Sequence, residues 1–235
     1  ATLVPLLARL QPIGDRPWHW IDHWVIERPH AVALNDGTTA WSFTEYSAAV
    51  RRWHERIATI GTRRSIVALS APKSLELVAA MIGVMRSGNT VLVIDPDETA
   101  SRIDAIFAQA TPAIVVSDDP ALAARAPSTT LAFSDSTAEA PDDLPAVDVA
   151  DDDLAWLCYS SGSTGVPTGS AKTFANLAMR TAESLDRIAP MEGDVLSQVH
   201  ALSFSASARA VFGGLASGAD RKSTRLNSSH SSVSR

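Results

Sequence analysis

The sequence predicts an α/β fold in which helices pack on a parallel sheet. Three short apolar runs, SIVALS, TVLVID and AIVVS, read as buried strands. Stretches with helical periodicity separate them. The resulting β–α–β–α–β order implies parallel pairing through helical crossovers.

Taken in order, residues 2–10 predict a short amphipathic helix, and WHWIDHW follows with three Trp in seven positions. The LNDGT stretch at 34–38 is a turn signal between VAL and TAWSF, which predicts a β-hairpin. Thr44 is placed to N-cap a helix through EYSAAVRRWHERIATI, and Gly61 to end it. After the strand SIVALS, KSLELVAAMIGVMRSG is an apolar-striped helix closed by Gly88. Its Met81 and Met85 share a face with Leu77 and Val78 and read as core. The strand TVLVID leads through Pro96 and Asp97 to a helix over 99–109, then to the strand AIVVS. Residues 134–153 hold eight acids, two prolines and no base, and read as an exposed linker of solvated charge. A buried strand LAWLCY follows, then a Gly/Ser/Thr loop and a helix over 174–188. Gly193 and Asp194 turn into a strand VLSQV, and SASARAVFGGLASG is again helical.

Composition bounds the function. The chain has 235 residues, 46% hydrophobic and 20% charged, which suits a globular protein of one large or two small domains. No apolar run reaches the roughly 18 residues of a membrane span. The opening ATLVPLLARLQP lacks the basic start of a secretory signal. The one cysteine, Cys158, excludes an internal disulfide; it reads as an inert buried thiol, and the chain as cytoplasmic. A net charge of −6 gives no reason to expect nucleic acid or anionic membrane. His19 and His23 are four apart, but no third ligand accompanies them, so they read as a Trp/His packing surface. Residues 220–235, DRKSTRLNSSHSSVSR, contain six Ser, four Lys or Arg and two large aliphatics. They cannot bury a core face. They resemble translated sequencing-adapter read-through, with a native disordered tail as the alternative. Without them, residues 1–219 carry a net charge of −9.

The informative segment is Ser160, Ser161, Gly162, Ser163, Thr164, Gly165, Val166, Pro167, Thr168 and Gly169, between an apolar strand and a helix. Its three glycines permit close backbone approach, and four hydroxyls at 160, 161, 163 and 164 offer neutral donors. Exposed N–H groups in such a turn make a concavity suited to a polyphosphate. No Gly-Lys-Ser/Thr follows at Walker spacing, and no Gly-x-Gly-x-x-Gly is present. Ser161 does not sit in the Gly-x-Ser-x-Gly setting of a hydrolase nucleophile.

LAWLCYSSGSTGVPTG resembles the phosphate-binding motif of the adenylate-forming superfamily, which includes acyl-CoA synthetases and nonribosomal peptide synthetase adenylation domains. WSFTEYSAAVRR, MRSGNTVLVIDPD and LSQVHALSFSASARAVFGGLASGA resemble three further family motifs in the same order, the last being closest to the peptide-synthetase branch. The resemblance runs from about residue 15 to 219. It implies a partial adenylation domain over 1–219, the N-terminal part of a large domain, with 220–235 as a non-native tail. It also implies ATP and Mg²⁺ as cofactors. The expected chemistry is attack of a carboxylate on the α-phosphorus to give acyl-AMP, then transfer to a pantetheine thiol of a carrier protein or coenzyme A.

Residue by residue, the resemblance places Ser160, Ser161, Gly162, Ser163, Thr164, Gly165, Thr168 and Gly169 at the ATP phosphates, and Phe204, Ser205 and Ser207 in the substrate pocket. Thr168 stands where the family has a lysine, and Lys172 is a possible substitute contact. Phe174 stands at the family's histidine. Ser205 stands where peptide-synthetase domains have the aspartate that holds an α-ammonium, which favours an acid lacking the α-amine. The family's later motifs and its catalytic lysine have no match here, so the chain is expected to be an inactive fragment of an active parent. A non-catalytic nucleotide-binding or carrier-docking module is the alternative.

Overall fold

The computed structural model describes residues 8, 10–11, 13–126, 129–134, 144–160, 166–188, 196 and 200–218. The expected helix at 2–10, the strand VLSQV, the turn at Gly193 and the tail at 220–235 lie wholly or mostly outside these residues. Among the described residues, α1 (Pro17–Glu27) precedes a hairpin of β1 (Val32–Asn35) and β2 (Ala40–Ser42). Then follow α2 (Phe43–Ala58), β3 (Ile66–Ser70), α3 (Leu75–Arg86), β4 (Thr90–Val93), α4 (Ala100–Ala110) and β5 (Ile114–Ser117). A short α5 (Pro120–Ala123) and β6 (Thr129–Leu131) lead to β7 (Leu154–Ser160), β8 (Thr168–Thr173) and α6 (Phe174–Ile188). A 3₁₀ turn (Ser205–Ser207) runs into α7 (Ala208–Ser217).

The hairpin forms where its turn chemistry predicts. Asn35 Oδ1 accepts from the Gly37 N–H at 2.7 Å, and Asp36 Oδ1 accepts from the N–H groups of Thr38 and Thr39. Gly37 sits at φ +92°, which a side chain would strain. The start of α2 differs from expectation. Its cap is Ser42, whose hydroxyl accepts from the Glu45 N–H while the Glu45 carboxylate accepts from the Ser42 N–H, a reciprocal capping box. Thr44 instead donates to the Pro29 carbonyl. The helix at α1 was not anticipated, because its three Trp obscure a simple polar/apolar stripe; Pro17 starts it and Trp18, Trp20 and Ile21 are buried.

The main sheet has six strands in the order β6-β5-β3-β4-β7-β8. The first five pair in parallel and β8 pairs antiparallel with β7. This edge strand was read as loop, since TGSAKT has no apolar period for a sequence argument to detect. Side chains alternate between two cores. Val67, Leu69, Val91, Val93, Ile114 and Val116 enter the larger one; Ala68, Leu92 and Val115 enter the smaller. The step from β3 to β4 goes one way and the step from β4 to β5 goes back. Right-handed crossovers in opposite directions put their helices on opposite faces. Accordingly α3 lies in the larger core and α4, through Ile103, Ile106 and Phe107, in the smaller. Met81 and Met85 are fully buried, as read.

Helices α2 and α3 touch at Gly83. A Cβ there would lie 2.4 Å from Trp53 Cβ, so only glycine permits this approach. Trp53 also donates its indole N–H to Glu76 at 2.6 Å. Beside it His54 is buried, and desolvation, helped by the Arg86 charge, holds its pKa down at about 4. Residues 144–153 are not the free linker expected. Buried Arg16 donates to Asp151 Oδ1 at 2.7 Å and to the Val149 carbonyl. Arg86 donates to the Leu144 carbonyl and accepts, through its own carbonyl, from the Val147 N–H. Arg64 pairs with Asp153 at 3.0 Å. Ala146 and Val149 pack on the larger core, so this part of the acidic stretch is strapped down immediately before β7.

Candidate functional site

Past the C-terminal ends of β4 and β7 the chain departs in opposite directions, towards β5 and towards β8. Divergence of this kind opens a crevice beyond the strand ends, the usual ligand position in open α/β sheets. The Gly/Ser/Thr segment emerges there. Ser161, Gly162, Ser163, Thr164 and Gly165 lie outside the described residues. Their flanks are described: Ser160 ends β7 and faces Thr168, the start of β8, as a cross-strand partner. The Ser160 hydroxyl donates to the Thr168 carbonyl at 3.4 Å. The segment is therefore held at both ends by one antiparallel hairpin. Gln109 of α4 donates to the Pro167 carbonyl at 3.2 Å, a tie the sequence gave no reason to expect. Gly169 lies under the Tyr159 ring, where a Cβ would come within 3.3 Å of the ring carbon bearing the hydroxyl. Burial raises the Tyr159 pKa, so the phenol stays neutral.

Register decides where Lys172 points. Trp156 opposes Lys172, Cys158 opposes Ser170 and Ser160 opposes Thr168, so these six residues share one face. The Lys172 ammonium donates to the Ser170 hydroxyl at 2.9 Å, which brings it along the strand towards Thr168. Its charge is felt at Cys158, though burial dominates there and pushes the thiol up to about 12. Cys158 is thus the inert thiol expected. Phe174 does not face the crevice. It is buried against the edge of Trp18 and under the Arg16 guanidinium. Thr173 caps α6, its hydroxyl accepting from the Asn176 N–H.

Two cavities flank the turn at 203–207. The smaller, about 380 Å³, lies over the ends of β4 and β7 and is lined by Asp95, Asp97, Glu98, Tyr159, Ser203 and Phe204 among others. The larger, about 510 Å³, lies between α6, α7 and β8. Its floor includes Trp156, Leu177, Ser184 and Phe212; its rim includes Lys172 and Ser205. The three substrate-pocket candidates therefore separate. Ser205 faces the larger cavity and Phe204, 56% exposed, the smaller. Ser207 is buried and lines neither; its hydroxyl donates to the Phe204 carbonyl at 2.7 Å and shapes the turn. His19 and His23 lie edge-on to Trp18 and Trp24, the packing role read for them.

Among the described residues no cluster of three or more His, Cys, Asp or Glu is placed to hold a metal ion. No helix among them is long and apolar enough to cross a membrane. The described residues offer no carboxylate set for Mg²⁺.

Comparison with known proteins agrees with this fold. The family described as AMP-binding enzyme matches residues 21–221. Bacitracin synthase 1 of Bacillus licheniformis is 30% identical over 220 residues, covering 91% of this chain and 4% of that protein. Pyochelin synthetase PchF of Pseudomonas aeruginosa is 31% identical over 197 residues, covering 81% and 11%. In fold, VinN in complex with L-aspartate superposes with a TM-score of 0.80 at 19% identity, covering 89% of this chain and 57% of that one. The N-terminal subdomain of Klebsiella oxytoca NpsA, in complex with 3-hydroxyanthranilyl-AMSN, gives 0.76 at 21% identity, covering 88% and 52%. The chain thus spans a little over half of these solved chains and a small part of the curated synthetases.

Proposed function

The chain belongs to the AMP-binding enzyme family, and from that premise we propose that it carries the phosphate-holding half of a carboxylate-activating site. The single observation that carries this is the β7–β8 hairpin, which holds Ser160 and Thr168, the flanks of the Gly/Ser/Thr segment, at the strand ends beside β4. The backbone N–H groups and hydroxyls of 160–165 take the β- and γ-phosphates of ATP, with Thr168 and Gly169 at the outgoing stem. Preorganised donors of this kind stabilise charge as it moves onto pyrophosphate. The carboxylate attacks the α-phosphorus, acyl-AMP forms and pyrophosphate leaves; a pantetheine thiol of a carrier domain or coenzyme A then takes the acyl group. The setting is cytoplasmic.

Lys172 supplies the cationic charge that Thr168 lacks. It shares a face with Thr168 and extends towards it. Ser205 leaves the acid pocket without a carboxylate for an α-ammonium, so the preferred acid has no α-amine. These roles extend to a protein as long as the solved relatives; the 235-residue chain alone binds ATP without completing adenylation.

The test is ATP binding by this chain, and carboxylate-dependent pyrophosphate–ATP exchange by a protein extended over the relatives' length. ATP binding that is lost in Gly165→Val supports the phosphate role. Unchanged binding in that variant overturns it. Binding without exchange in the extended protein, over a panel of acids, would leave only a non-catalytic nucleotide-binding module.

A further inference from the structure

The larger cavity has an electrostatic character that neither the family assignment nor the phosphate loop accounts for. The chain as a whole is acidic, with a net charge of −6. Yet, beyond the Lys172 already given to the phosphates, the cavity is bordered by Arg180, Arg187 and Arg209, with Glu183 as the one acidic lining residue among the described residues. Glu183 is already met by Arg180 at 3.3 Å. Among the described residues Arg187 and Arg209 have no carboxylate partner, although they stand on different helices, at the end of α6 and the start of α7. Arg209 lies one helical turn beyond Ser205, so both project from the same side of the 205–217 segment.

The floor adds a second observation. Trp156 and Ser184 are both buried lining residues, and among the described residues Trp156 Nε1 and Ser184 Oγ have no hydrogen-bond partner. An indole N–H can only donate. As a buried lining residue, Trp156 reports what fills the cavity. A volume of about 510 Å³ is that of a small-molecule site.

We propose that this cavity takes a doubly anionic acid, one carboxylate for activation and a second acidic group held at the rim by Arg187 and Arg209. The proposal rests on the carboxylate-activation reading and deepens it, because it names the class of acid. Two guanidinium groups facing one opening favour a dianion over a monoanion of the same length, and they repel any guest with a net positive charge. The neutral Ser205 is consistent with this, since the pocket then carries cationic charge and no opposing carboxylate.

The experiment uses the whole 235-residue chain. Glutarate and pentanoate, equal in carbon number, are titrated while the indole N–H resonance of Trp156 is followed, assigned by its loss in Trp156→Phe. ATP is titrated in parallel. Glutarate is expected to shift that resonance and to bind about tenfold more tightly than pentanoate at low salt. The preference is expected to vanish in Arg187→Gln/Arg209→Gln and to shrink as salt rises. Both substitutions are at exposed helix positions, and an unchanged melting temperature shows that the fold is intact. Equal affinity for the two acids overturns the proposal, as does a glutarate preference that survives the double variant. If ATP alone shifts Trp156, the rim cations serve the triphosphate and the dianion proposal falls while the phosphate reading stands. If glutarate behaves as expected and ATP does not bind, the cavity stands and the phosphate reading falls.

Discussion

The two flanks of the main sheet are built differently. Around β3, β4 and β5 every strand has parallel neighbours, and helices cover both faces. Trp53, Gly83 and His54 interlock there with almost no exposure. On the other flank β8 is an edge strand whose first four residues are exposed, and α6 and α7 close round an open cavity. The first flank is stabilised by its own contacts. The second presents hydroxyls, glycines and cations to a space that a ligand or further chain can occupy. Substitutions should therefore separate cleanly, with stability changing on one flank and ligand binding on the other.

The largest effect is expected at Trp53→Ala. The side chain is fully buried and its indole N–H meets Glu76. Its loss should cost about 3–5 kcal/mol, read as a drop in denaturant midpoint. A loss under 1 kcal/mol would mean that the α2–α3 contact is not the stable half of the molecule.

Next comes acid pH. His54 is held neutral, with a folded pKa of about 4 against an ordinary 6.5. The unfolded chain binds the proton first, so stability falls as pH drops below about 6.5 and the loss levels off near 4. The loss attributable to this group is ~3 kcal/mol. Melting curves of the protein and of His54→Leu over this range should diverge in slope; parallel curves would remove His54 from the account.

On the open flank, Lys172→Ala should remove the charge-assisted contact to bound phosphate. Exposure keeps the loss near the low end, about tenfold in ATP affinity, with no change in melting temperature. Because Lys172 already supplies that charge, Thr168→Lys should add little; a tenfold gain from Thr168→Lys with no loss in Lys172→Ala would take Lys172 out of the phosphate site. A change in stability without a change in affinity, in either variant, would erase the contrast between the flanks.

Ser42→Ala should cost about 1 kcal/mol through the α2 capping box, measurable by chemical denaturation. Thr44→Val should cost less, since its hydroxyl serves one carbonyl outside the helix. The reverse order would restore Thr44 as the cap. Smallest of all, deletion of residues 220–235 is expected to leave the melting temperature unchanged. A fall of several degrees would make the tail part of the fold.

The parallel sheet was legible because buried strands and amphipathic helices write their periods into the chain. SIVALS, TVLVID and AIVVS became β3, β4 and β5, and the predicted helix over 174–188 is α6 with the same ends. The Gly/Ser/Thr segment after β7 was legible for another reason: three glycines and four hydroxyls in ten residues fit neither a strand nor a helix period. Edge strand β8 was hidden, because TGSAKT is a strand through pairing with β7 and has no pattern of its own. The strapped segment at 144–153 was hidden too. Its acids look like solvated charge until Arg16, Arg64 and Arg86 arrive from far along the chain.

The same division holds at the site. The residue types that can meet a phosphate, and the neutral serine at 205, are local chemistry and stand in the sequence. Which of them meet is set by register and crossover. Pairing of Trp156 with Lys172 puts that lysine on the face of Thr168, and the turn at 205–207 sends Phe204 and Ser205 to different cavities. Arg187 and Arg209 are surface helix residues in the sequence. They face one opening only because α6 and α7 pack side by side, and a contact between distant segments depends on the whole arrangement of the chain.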